Sequence, residues 1–115
     1  MPHCIIEYSQ NTEQKIPVSN IMEEVKVACI RSSLFSPEDV KVRAFACNHF
    51  VAAGEEEGFI HVTLKILSGR TAEQKKSLSS LVLDNLVGLN FPQTILSVEV
   101  CDIDKASYVK TKVSP

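Results

Sequence analysis

The sequence predicts an α+β fold: two β-α-β units forming one four-stranded sheet, with two helices on one of its faces. Three observations lead there. Four runs, at residues 3–8, 40–51, 59–67 and 96–101, alternate apolar and polar side chains with the period of a half-buried strand. Two segments between them repeat apolar residues at helical spacing. The six pieces follow the order strand, helix, strand, and then the same order again.

Each element has its own signature. Cys4, Ile6 and Tyr8 alternate with His3, Ile5 and Glu7 to make the first strand. The polar stretch Ser9–Lys15 reads as a loop. A helix follows Pro17, with Ser19 or Asn20 as N-cap, Glu23 at capping-box spacing from Asn20, and an end near Ser33. Its apolar stripe is Ile21, Val25, Ala28, Cys29 and Ser32. Ser36-Pro37-Glu38-Asp39 reads as one short helical turn. In the second strand Lys41, Arg43, Phe45, Cys47 and His49 share one face, and Val42, Ala44, Ala46 and Phe50 share the other. Gly54-Glu55-Glu56-Glu57-Gly58 is an acidic turn, and Phe59–Leu67 alternates most cleanly of all.

The second helix opens with Thr71 and Gln74 at capping-box spacing and buries Leu78, Leu81, Val82, Asn85, Leu86 and Leu89. Pro92 stops it. Leu96, Val98 and Val100 then alternate through the fourth strand. Residues 102–115 read as weakly structured, with an extended piece at Tyr108-Val109 that could pair with a neighbour. One sheet face is left without helices, and oligomerisation is the natural use of such a surface.

Composition limits the function classes. With 115 residues, 44% hydrophobic and 23% charged, the chain is expected to form one domain over residues 1–115 with its own core. A net charge of −2 gives nucleic acid no electrostatic purchase. No apolar run approaches the ~20 residues of a membrane helix, and no leader precedes the first strand, so a cytoplasmic protein is expected. The cysteines, Cys4, Cys29, Cys47 and Cys101, have neither C-x-x-C spacing nor zinc-site partners. They are expected to be buried and reduced. Neither a metal site nor a cofactor motif is present in the pattern.

Four residues carry candidate chemistry. Pro2 would become a free secondary amine if Met1 were removed, held by the strand that follows it. An unperturbed terminal amine titrates near ~7.7–8.0, and cations or burial lower it toward the range of a general base. Arg70 follows Gly69 in a strand-to-helix turn, where a guanidinium and a helix N-terminus both favour a carboxylate. Lys41 and Arg43 lie on one strand face and could point at the same anion. Plainer roles fit as well: Pro2 as an ordinary second residue, Arg70 as a surface side chain, and Lys41 and Arg43 as charges guarding an edge strand.

Met1-Pro2-His3-Cys4-Ile5-Ile6-Glu7, together with Phe59-Ile60-His61-Val62-Thr63-Leu64-Lys65-Ile66-Leu67-Ser68-Gly69-Arg70, closely resembles the 5-carboxymethyl-2-hydroxymuconate isomerase family of the tautomerase superfamily. The resemblance runs over residues 1–100 and weakens in the tail. It implies a tautomerase-like fold assembled as a homotrimer, and no cofactor. It further implies that Pro2, freed of Met1, moves a proton between carbons of a small unsaturated carboxylic acid. Arg70 and Arg43 would then act on the developing oxyanion, and Arg70 and Lys41 on the substrate carboxylates. The family pattern at the second strand is Arg-x-Arg, whereas this chain has Lys41-Val42-Arg43; lysine keeps the charge and loses the planar fork. Strand order leaves one alternative standing, a ferredoxin-like acid-binding or assembly module.

Overall fold

The computed structural model describes residues 1–54 and 57–115. Four strands, β1 (His3–Ser9), β2 (Lys41–Cys47), β3 (Gly58–Leu67) and β4 (Thr94–Ile103), form one sheet in the order β2-β1-β3-β4. β1 and β2 are parallel, β3 and β4 are parallel, and the antiparallel pair β1/β3 joins the two units at the centre. Helices α1 (Val18–Arg31) and α2 (Ala72–Val87) each connect the parallel strands of one unit. The two strands of each unit are therefore direct neighbours. A ferredoxin-like sheet splits each β-α-β unit with another strand, so that alternative does not describe this chain.

The core lies between the helices and one sheet face. Cys4, Ile6, Ile60, Val62, Leu64 and Ile66 from the sheet meet Ile21, Val25, Ala28 and Cys29 of α1 and Leu78, Val82 and Leu86 of α2. These are the positions the two periodicities mark. Fully burying an aliphatic side chain contributes ~1.5–3 kcal/mol, so this layer holds the helices to the sheet. Asn85 adds a polar tie by donating to the Glu24 carbonyl at 3.2 Å.

Several local expectations are corrected. α1 starts directly after Pro17, which has no side-chain cap, and the Asn20–Glu23 box does not form. Proline fixes its own φ near the helical value and lacks an N–H, so it sets the start without a polar cap. By contrast the Thr71–Gln74 box at α2 is complete: the Gln74 amide donates to Thr71 Oγ1 at 3.1 Å, and the Thr71 amide to Gln74 Oε1 at 2.9 Å. Ser9–Lys15 is no plain loop but contains a 3₁₀ turn over Gln10–Gln14. β2 ends at Cys47, whose partner Ser9 is the last residue of β1. Strand-prone residues beyond it have no ladder to join, and Phe50 instead packs edge-on against Phe59 at 5.5 Å.

β4 reaches Ile103, two residues past its alternating pattern, because β3 supplies a partner as far as Leu67. Of the acidic turn, residues 55 and 56 lie outside the described part, and Gly58 already belongs to β3. Cys4 and Cys29 are buried with sulfurs 3.6 Å apart, while Cys47 and Cys101 are only partly buried. The last two point toward the face without helices, which explains the difference. All four are free thiols.

Candidate active site

The amino terminus is tied down at the start of β1. Pro2 is buried, and its carbonyl accepts from the Lys41 amide at 3.1 Å, continuing the β1/β2 ladder by one step. The Met1 ammonium donates to the Asp39 carbonyl at 3.2 Å. While Met1 is attached the Pro2 nitrogen is an amide and has no lone pair for a proton. Met1 lines a cavity of about 340 Å³ with Leu34, Phe35, Ser36, Asp39, Leu67, Arg70, Tyr108 and Lys110. The substituent on the Pro2 nitrogen thus sits in the same hollow as Arg70.

Gly69, with φ at +121°, makes the turn that carries Arg70 off the end of β3. Such a φ is routine for glycine and strained for other residues. The guanidinium donates to the Leu34 carbonyl at 2.6 Å and lies 5.7 Å above the centre of the Phe35 ring. One fork position is therefore fixed and the remaining donors stay available to an anion.

A second hollow, about 740 Å³, adjoins the first and is lined by His3, Glu38, Asp39, Lys41, Tyr108, Lys110, Thr111 and Lys112. Lys41 belongs here, apart from Arg70. Arg43 lines neither hollow; it is exposed on the helix-free sheet face and donates to His3 Nδ1 at 3.1 Å. A guanidinium only donates, so Nδ1 accepts and the proton sits on Nε2, which meets the Tyr108 hydroxyl at 3.2 Å. Burial, followed by the nearby Arg43 charge, lowers the His3 pKa and favours this neutral ring.

The Met1 amine is also shifted. Burial lowers its pKa most, Lys110 and Lys41 lower it further, and Asp39 opposes them. The Met1 amine is thus more often unprotonated near neutral pH than a free terminus.

The model of the family described as 5-carboxymethyl-2-hydroxymuconate isomerase matches residues 2–113. The chain belongs to that family. It is accordingly an isomerase of the tautomerase superfamily, and its sheet and helices are tautomerase-like. The crystal structure of a 5-carboxymethyl-2-hydroxymuconate isomerase from Deinococcus radiodurans R1 is 21% identical, with 97% of this chain and 90% of that one covered and a TM-score of 0.73. A 5-carboxymethyl-2-hydroxymuconate delta-isomerase is 16% identical over 97% of this chain and 89% of that one, with a TM-score of 0.83. A structure described as a fused 4-OT wild-type symmetric trimer is 19% identical, covers 97% and 94%, and has a TM-score of 0.68. No curated protein matches the chain.

For an isomerase of this family, the sequence pattern leaves out part of the corner. Asp39, Tyr108 and Lys110 line both hollows, yet the sequence marks none of them as a chemistry-bearing residue. Position alone could have pointed to His3, as the neighbour of Pro2. Nothing in the pattern links Tyr108 to the amino terminus, since 105 residues separate the two partners of its bond to His3. Among the described residues no group of three His, Cys, Asp or Glu side chains is placed to hold a metal, and no helix is long and apolar enough to cross a membrane.

Proposed function

We propose that this isomerase, once Met1 is removed, shifts a double bond in a 5-carboxymethyl-2-hydroxymuconate-like unsaturated hydroxy or oxo acid without a cofactor. Pro2 is the base: its freed nitrogen takes a proton from one carbon and returns it to another. Arg70 binds a carboxylate and stabilises the negative charge that develops on the dienolate oxygen; Arg43, which lines neither hollow of a single subunit, joins it across a subunit boundary. Lys41 binds a further carboxylate. The setting is catabolism of aromatic compounds in the cytoplasm, and the working form is a homotrimer, as in the fused 4-OT structure described as a symmetric trimer. The helix-free sheet face, where Arg43 lies, is the surface such an assembly would use.

The observation that carries this reading is that Met1 and Arg70 line one cavity. Excising the methionine opens the Pro2 nitrogen to the space an anion at Arg70 would occupy. A positioned general base contributes roughly 10²–10⁴-fold to rate. The test follows the ultraviolet absorbance of a 2-hydroxymuconate-type acid with protein whose amino terminus has been established by mass spectrometry. Protein beginning at Pro2 should turn over the acid, and protein retaining Met1 should lose a factor of that size. Equal rates from the two forms would remove Pro2 from the mechanism.

A further inference from the structure

The segment after β4 is the part of the chain with the weakest sequence signals, yet it is fastened over the amino-terminal corner at several points. The Ser68 amide donates to the Ile103 carbonyl at 2.9 Å, and the Lys105 amide reaches Ser68 Oγ at 3.3 Å. Asp104 caps a short 3₁₀ turn at Lys105–Ser107 by accepting from the Ala106 amide. The turn delivers Tyr108 onto His3, hydrogen-bonded at 3.2 Å and edge-on with ring centres 6.3 Å apart. Two residues later Lys110 Nζ lies 3.6 Å from Asp39 Oδ1.

This path makes Tyr108 and Lys110 the partition between the two hollows, since both residues line both. Arg70 stands in one hollow and Lys41 in the other. Arg70 and Lys110 also differ in how they are held. Arg70 is fixed by the Leu34 carbonyl and the Phe35 ring. Lys110 has a side chain 61% exposed and one long ion pair, an arrangement typically worth ~0–1 kcal/mol. An incoming carboxylate can draw its flexible ammonium away from Asp39 at little cost.

We propose that Lys110 is a specificity-determining residue: it binds a carboxylate distant from the one on Arg70, and so selects polycarboxylates over monocarboxylates. The inference deepens the isomerase reading and uses the same site. Tyr108, anchored to His3, is the positioning residue that sets where Lys110 can reach. Placing a mobile cation between Arg70 and Lys41 lets one acid span both hollows.

The test measures binding by calorimetry on full-length protein processed to Pro2, using propane-1,2,3-tricarboxylate and the monocarboxylate propionate. Both acids are saturated, so turnover does not intrude. Lys110→Met should weaken the tricarboxylate about tenfold, the size of one charge-assisted hydrogen bond, and propionate far less. Lys110→Arg should recover most of the loss. Lys76→Met, on the exposed side of α2 and outside both hollows, controls for net charge. Tricarboxylate affinity unchanged in Lys110→Met, or an equal loss for both acids, would overturn the proposal, as would wild-type protein that fails to bind the tricarboxylate. Lys110-dependent binding without any isomerisation would leave this inference standing and sink the isomerase reading. Isomerisation that ignores Lys110 would do the reverse.

Discussion

Two rows of the same sheet, one residue apart, show how differently its faces are used. On the helix-covered side, Ala44, Ile6, Val62 and Val98 stand side by side across the four strands, with Ile6 and Val62 fully buried. On the other side the adjacent row is Arg43, Ile5, Thr63 and Glu99, and the next is Phe45, Glu7, His61 and Ser97. The first row is purely apolar and its neighbours are helices. The second mixes apolar, polar and charged groups that bond one another across strands: His61 to Ser97 at 2.7 Å and to Glu99 at 2.5 Å, and Thr63 to Glu99 at 3.4 Å. A surface that stays wet needs no isoleucine or phenylalanine, and a core tolerates no such ladder of charges. The helix-free face has the mixed character of a protein interface.

Substitutions on the two faces should therefore fail in different ways. Leu64→Ala, on the covered side, removes a fully buried side chain and should cost about 2–5 kcal/mol by urea unfolding. Ile5→Lys, on the open side, should leave the far-ultraviolet dichroism of the fold in place. It should instead reduce the mass seen by sedimentation equilibrium from a trimer to a single chain, because a buried unpaired ammonium opposes the contact. A mass unchanged by Ile5→Lys would mean that this face is not where subunits meet.

The two units differ as well, on a smaller scale. Thr71→Ala breaks a formed capping box at α2 and should cost about 1 kcal/mol. Asn20→Ala lies exposed within the first turns of α1, where no box forms, and should change stability by a few tenths of that. Equal costs in urea unfolding would show that the start of α1 does use Asn20.

These contrasts also show what could be read from residues alone. Strand and helix assignments were legible because period two and period 3.6 are imposed by burial on one side, and Cys4, Ile6, Val62 and Leu64 record it directly. The Thr71 cap was legible for the same reason that it works: both partners are local in sequence. Element ends were harder, since β2 stops where β1 runs out and β4 continues because β3 does. Those are pairing facts with no local signal. At the candidate site, Pro2, Lys41, Arg43 and Arg70 stood out by chemistry and resemblance, and the structure draws Arg70 to the terminus while setting Arg43 on the open face. Tyr108, Lys110 and Asp39 stayed hidden because their meaning depends on contacts between the two ends of the chain.

The smallest expected effect concerns the polar cluster of the open face. Hydrogen bonds from His61 first, then from Cys101, hold the Glu99 carboxyl below its ordinary value. A depressed folded pKa means that the folded protein favours the ionised form. The resulting stability is complete above the unfolded carboxyl's pKa, near ~4.3, and is lost as pH falls through the lower folded value. The urea midpoint of wild type should thus exceed that of Glu99→Gln by a small margin at neutral pH, and the margin should close in acid. A gap that persists unchanged below the carboxyl range would show that Glu99 acts through packing. Repeating the titration in the Ile5→Lys background sharpens the comparison of faces: if neighbouring subunits cover this cluster, removing them exposes it to water and the margin should shrink.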